Sequence, residues 1–269
     1  MKFSLKGLLT IAAAASALVL AGCGEKEADT SKIKVGVMAG AEAQVAEVAA
    51  KVAKEKYGLD VELVTFTDYV TPNAALDDGS IDINAFQHKP YLDQQVADRG
   101  YKLTIAGNTF VYPIAGYSKQ VKAVDEIQEG ARIAVPNDPT NLGRSLILLE
   151  QQGLLKLREN VGLLATVRDI VENPKNITIV ELDAAQLPRS LDDVALSVIN
   201  TTYASSINLT PQKDGIFVED KESPYVNLIV SREDNARAEN VQNFVKSYQT
   251  EEVYTAASDI FQGGVVKGW

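Results

Sequence analysis

The sequence has 269 residues, with 36 acidic against 26 basic side chains, a formal net charge of −10, one histidine and one cysteine. An acidic chain of this kind is a poor partner for nucleic acid or for anionic lipid. A single cysteine excludes an intramolecular disulfide and a cysteine metal cluster, and one imidazole cannot build a zinc site alone.

Lys2 and Lys6 open the chain, residues 8–20 are apolar apart from small Thr and Ser, and Leu20-Ala21-Gly22-Cys23 closes the segment. A charged start, an apolar stretch and a small-residue cleavage site make a secretory signal, too short to persist as a spanning helix. The last four residues resemble a bacterial lipobox, whose cysteine is acylated and becomes the new N-terminus. The alternative is an ordinary secretory signal with an incidental cysteine. Residues 1–22 are therefore expected to be removed, with Cys23 carrying the lipid. The stretch that follows, to residue 31, is charged and small, and reads as a flexible tether. No later apolar run is long enough to span a membrane, so residues 32–269 read as a soluble body of one large domain or two small ones.

That body alternates β-branched runs with helical patterns. Residues 33–37 read as a strand, and a helix from about 44 to 57 follows, with Val45, Val48, Ala49 and Val52 at helical spacing and Gly58 as its stop. A strand at 61–64, a short helix at 72–78, a strand at 81–86 and a helix from about 90 to 99 come next. A second series starts after Tyr112-Pro113-Ile114-Ala115-Gly116-Tyr117. It has a strand at 132–135, a leucine-rich helix entered through Pro136-Asn137-Asp138-Pro139-Thr140-Asn141, and strands at 177–180, 194–199 and 225–230. Helices between about 236 and 260 finish the chain. Such alternation predicts an α/β fold with parallel βαβ units.

Pro72-Asn73-Ala74-Ala75-Leu76-Asp77-Asp78, leading to Asn84, looks like Pro188-Arg189-Ser190-Leu191-Asp192-Asp193, leading to Asn200 with the same Pro-to-Asn spacing. The match predicts two lobes of similar design, each ending a strand with Asn at a shared cleft. Ligands bind beyond the carboxyl ends of such strands and at domain interfaces. Extended stretches at 110–118 and 225–231 are the candidate crossings, which would return the C-terminal helices to the first lobe. The expected boundaries are 32–112 with 225–269 for lobe 1, and 113–224 for lobe 2.

Around the cleft, Phe86, His88 and Tyr91 could wall an apolar pocket suited to a soft side chain such as a thioether, with Tyr69 on a loop at the same edge. A lone histidine is more often structural than a metal ligand, and no metal or cofactor is expected. Arg144 stands in the first turns of a helix, where cations are unfavourable; a bidentate contact to a ligand carboxylate would explain it, and an ion pair with a nearby acid is the alternative. Asn141 opens the same helix. Asn200 and Asn227 can offer carbonyl and amide groups to an amino acid, and Asn227 lies in a β-rich run where Asn is disfavoured. Aromatic walls opposite an arginine and amides suit an amino acid with an apolar side chain, without choosing methionine over leucine.

Lys34-Val35-Gly36-Val37, Asn84-Ala85-Phe86-Gln87-His88, Tyr112-Pro113, Val135-Pro136-Asn137-Asp138-Pro139-Thr140-Asn141, Ala185-Gln186-Leu187-Pro188-Arg189 and Ile199-Asn200-Thr201 together resemble the NlpA lipoprotein family, the methionine-binding lipoproteins of bacterial ABC importers. The resemblance covers essentially the whole chain, lipobox included. It implies a two-lobed periplasmic-binding-protein fold of the second type with methionine in the interlobe cleft. Tyr69, Phe86, Tyr91 and His88 would surround the thioether, Arg144 would take the carboxylate, and Asn141, Asn200 and Asn227 the amino-acid backbone groups. It also implies a membrane permease and its cytoplasmic ATPase as partners, and a globular part held in the cell envelope by lipid on Cys23. The rival ligands are another small amino acid or a methionine-containing dipeptide. The rival classes are an adhesin or scaffold lipoprotein and an enzyme, for which neither a nucleophile motif nor a phosphate-binding glycine loop is found.

Overall fold

A computed structural model describes residues 29–220 and 224–269; the signal segment, Cys23 and most of the tether lie outside them. In chain order the first elements are β1 (Lys32–Met38), α1 (Ala41–Tyr57), β2 (Asp60–Phe66), α2 (Thr71–Asp77), β3 (Ile83–His88), α3 (Lys89–Arg99) and β4 (Leu103–Val111). Then come β5 (Ala115–Tyr117), β6 (Arg132–Pro136), α4 (Pro139–Gln151), β7 (Lys156–Leu157), β8 (Ile170–Glu172), β9 (Thr178–Leu182), α5 (Leu187–Ser190), β10 (Leu196–Ile199), α6 (Thr201–Ser205), α7 (Pro211–Asp214) and β11 (Phe217–Val218). β12 (Val226–Arg232), α8 (Glu239–Tyr248), α9 (Glu251–Ile260) and β13 (Val266–Lys267) complete the chain.

Two sheets carry the two lobes. One has the order β13-β4-β12-β3-β1-β2, the other β11-β5-β10-β6-β9. In the first, β1 lies between parallel neighbours β2 and β3, and β12 adds antiparallel to β3. The second repeats this, with β6 between parallel β9 and β10, and β5 antiparallel to β10. The internal match has its counterpart here, since Pro72 opens α2 ahead of β3 and Pro188 sits in α5 ahead of β10. Its prediction for the asparagines holds for one of the two. Asn200 follows the end of β10, whereas Asn84 lies inside β3 and is fully buried behind the cleft.

Buried apolar stripes hold each layer. Val45, Ala49, Val52 and Ala53 of α1 pack with Val241, Phe244 and Val253 of α8 and α9 against β1 and β3. Fully burying a side chain such as Phe244 contributes about 1.5–3 kcal/mol. Leu76 and Leu92 of α2 and α3 cover other residues of the sheet with Leu228 and Val230, and Leu142, Leu146 and Leu149 of α4 do the same in the second lobe. Gly58 ends α1 in the left-handed conformation, φ 66°, and its N–H meets the carbonyls of Ala53 and Lys54. Gly143 is required by close approach: a Cβ there would lie 2.1 Å from the backbone oxygen of Leu163.

Several boundaries move for identifiable reasons. α1 starts at Ala41, before the first branched apolar residue, because Gly40 with φ 92° turns the chain directly into the helix. The strand expected at 81–86 runs instead from 83 to 88, since Ile81 is a buried turn residue and the ladder continues through polar Gln87 and His88. β4 escapes the periodicity reading because Gly107 and Asn108 interrupt it and its register against β12 shifts twice. The stretch 225–231 is no crossing: from residue 226 it is β12, paired on both sides, and the chain changes sheets before it, between β11 and β12. The C-terminal helices break at Gln249, and Thr250 caps α9 by accepting from the Val253 amide. Among the described residues no helix is long and apolar enough to cross a membrane.

Candidate ligand-binding site

Between the lobes lies a cavity with about 350 Å³ of atom-free space, open solvent included. Its lining includes all eight residues singled out from the sequence: Tyr69, Phe86, His88, Tyr91, Asn141, Arg144, Asn200 and Asn227.

A bulge in β3 shapes one wall. Asn227 pairs with His88 and Leu228 with Gln87, but Ile229 pairs with Ala85, so Phe86 is the extra residue. A bulge re-aims side chains and frees a backbone group from the ladder. Here the amide of Asn227 donates to the Phe86 carbonyl at 3.1 Å. The bulge also brings Gln87 and Asn84 to one face, where Gln87 donates to Asn84 at 3.0 Å and both donate to Asn73 Oδ1, at 2.6 and 2.9 Å. This buried amide cluster, of which Gln87 reaches the cavity, locks the strand end. Tyr69, Phe86 and Tyr91 form the aromatic side, with ring centroids 6.0–6.2 Å apart, and the Tyr91 hydroxyl donates to the Tyr69 carbonyl at 2.7 Å.

His88 caps α3: its Nδ1 accepts from the Tyr91 amide at 3.1 Å, which leaves the proton on Nε2, 3.3 Å from Asn141 Oδ1. Burial, then the nearby Arg144 charge, pushes the imidazole down to about 3, so it is neutral. Asp138 caps α4, accepting from the Asn141 backbone and side-chain amides, each at 2.9 Å. Asn141 Oδ1 also accepts from Asn200 Nδ2 at 2.9 Å. Asn200 Oδ1 is buried with no hydrogen-bond partner, an acceptor that a ligand N–H would satisfy.

Arg144, 4% exposed, is held on three sides. Nε donates to Glu219 at 2.8 Å, Nη2 donates to Glu219 and to the Tyr112 carbonyl, and the guanidinium carbon lies 4.3 Å from the Tyr225 ring centroid. The ion pair with an acid, the alternative reading of this arginine, is therefore present. The fork expected to face a ligand carboxylate is turned to Glu219, and Nη1 makes no hydrogen bond among the described residues while the side chain still lines the cavity.

Gln87, Tyr112, Thr201 and Thr202 also line the cavity but were not identified as site residues from the sequence, although three of them belong to the motifs quoted above. Glu219 carried no sequence signal. Glu42, which accepts from Thr202 across the cleft, had one: it occupies the first turn after β1, as Asn141 and Arg144 occupy the first turns after β6. Starting α1 too late hid the correspondence.

The model of the NlpA lipoprotein family matches residues 33–269. The chain is 84% identical, over the full length of both, to a probable D-methionine-binding lipoprotein MetQ of Vibrio cholerae. Among solved structures, the methionine binding protein MetQ superposes with a TM-score of 0.89 at 73% identity, covering 90% of this chain and 99% of that one. A nutrient binding protein of Burkholderia cenocepacia bound to methionine gives 0.86 at 51% identity, over 88% and 100%. A periplasmic substrate-binding protein of an ABC transporter from Coxiella burnetii gives 0.86 at 47%, also over 88% and 100%. With a family match through nearly the whole body and the two-lobed sheets these structures share, the chain belongs to the NlpA lipoprotein family.

Proposed function

We propose that this chain captures methionine between its two lobes and delivers it to the permease of an ABC importer, powered by that permease's ATPase. The observation that carries the reading is the division of the cavity wall, with Tyr69, Phe86 and Tyr91 on one side and Arg144, Asn141, Asn200 and Asn227 on the other. A thioether against aromatic edges gains roughly 0.3–1.5 kcal/mol per contact. Asn200 Oδ1 takes the ammonium, Arg144 Nη1 takes the carboxylate, and Asn141 and Asn227 bracket the amino-acid backbone. Methionine in the Burkholderia relative supports this choice over another small amino acid or a dipeptide. The reading is carriage rather than catalysis, in line with the binding proteins of transporters among its relatives.

Native mass spectrometry of the mature chain is expected to show co-purified methionine. After unfolding and refolding to strip it, calorimetry should show rebinding at one site. Absence of methionine binding by the stripped chain sinks the assignment and points to other amino acids or short peptides. A related expectation concerns Cys23, the proposed lipid anchor: Cys23→Ala should leave the membrane fraction, and retention there would remove the anchor from this residue.

A further inference from the structure

Few hydrogen bonds cross the cleft. Besides Arg144 Nη2 to the Tyr112 carbonyl at the lobe boundary, the Tyr203 hydroxyl donates to the Thr67 carbonyl at 3.4 Å, His88 meets Asn141 at 3.3 Å, and Thr202 Oγ1 donates to Glu42 Oε1 at 2.5 Å. The last differs in kind. Glu42 is 3% exposed, and no lysine or arginine pairs with it among the described residues. A buried carboxyl without a cation is costly unless it is hydrogen-bonded or holds its proton. The first turn of a helix favours an acid, but in α1 its neighbours Ala41 and Ala43 offer Glu42 no counter-charge, and the carboxyl is buried rather than solvated.

We propose that the Glu42–Thr202 hydrogen bond is the latch that holds the two lobes together over the ligand, which makes Glu42 a positioning residue for capture. The proposal rests on the carrier reading above. The titratable groups that face Glu42 are all tyrosines: Tyr69 ahead of α2, Tyr112 after β4, Tyr203 on α6 and Tyr248 on α8. Burial raises each of them further, so they remain neutral and supply no counter-charge. Burial likewise pushes the Glu42 carboxyl up to about 8, against the opposing pull of the Thr202 hydrogen bond.

Parting the lobes takes Thr202 away and lets water reach the carboxyl, which then falls toward the ordinary glutamate value of about 4.3. Closing therefore takes up a proton. The gain is fully present below the open-state value and is lost as pH rises through about 8. His88 works in the opposite sense, but only below its ordinary value of about 6.5. Between pH 6.5 and 8.5 the Glu42 effect stands alone among these groups.

Calorimetric titration of methionine into the stripped, full mature chain across that range tests the latch. Wild-type affinity should weaken roughly twentyfold to thirtyfold from pH 6.5 to 8.5, with proton uptake read from the dependence of binding heat on buffer. Glu42→Gln, whose amide oxygen accepts the same hydroxyl, should bind with no such pH dependence and more tightly than Glu42→Ala at every pH. Small-angle scattering of the ligand-free proteins decides the case without methionine: the wild-type radius of gyration should grow over the range and that of Glu42→Gln should not. No methionine heat at any pH would defeat the carrier reading while scattering still judges the latch. A wild-type chain with no proton uptake and no pH-dependent opening, or a Glu42→Gln profile that follows wild type, overturns it.

Discussion

Arg144→Ala is expected to bind methionine at least roughly a hundredfold more weakly than wild type, because truncating one member of a buried charged contact costs about 2–5 kcal/mol. The same change should lower the melting temperature. Arg144 and Glu219 are 4% and 12% exposed at their side chains, and breaking a pair this buried strands a carboxylate at a cost of about 3–5 kcal/mol. The two effects separate in the double variant Arg144→Ala/Glu219→Ala, which removes the stranded charge. Its melting temperature should recover while its affinity stays low. Recovery of both would mean that Arg144 serves only to neutralise Glu219. Arg144→Lys adds a geometric check, since one ammonium cannot span Glu219, the Tyr112 carbonyl and a ligand carboxylate as the planar guanidinium can.

The composition of the cavity wall was legible in the sequence because its parts break local rules. Arg144 in the first turns of a helix and Asn227 inside a strand are placed against local preference. Such positions tend to be functional ones. Glu219 broke no rule. It follows a two-residue strand, and only the approach of α4 to that strand's exit makes it the partner of Arg144. The bulge at Phe86 was equally hidden, since it depends on how β12 registers against β3, a pairing between segments some 140 residues apart in sequence. Parallel strands with regular βα connections were readable from periodicity, whereas β4 was not, because Gly107, Asn108 and two register shifts erase its alternation.

Asn141→Ala should bring the second large loss, through contacts beyond those proposed to the ligand. Asn141 Oδ1 receives Asn200 Nδ2 and the protonated Nε2 of His88, while its own amides are fixed by Asp138. Truncation leaves two buried donors without an acceptor, each costing about 1–3 kcal/mol. It also frees Asn200 to rotate, so the carbonyl proposed to receive the ammonium is no longer aimed. Methionine affinity should fall roughly thirtyfold to a hundredfold, with a lower melting temperature. A double-mutant cycle with Asn200→Ala identifies the route. If Asn141 acts by orienting Asn200, the two substitutions are strongly non-additive in binding energy, with a coupling of about 1 kcal/mol or more. Strict additivity would mean that each asparagine meets the ligand independently. Asn141→Asp sharpens the comparison, because its carboxylate can still receive both donors but lies beside Asp138. An anion at that position favours the charged form of His88 and raises its titration from about 3. The affinity of this variant should therefore change with pH as that imidazole titrates.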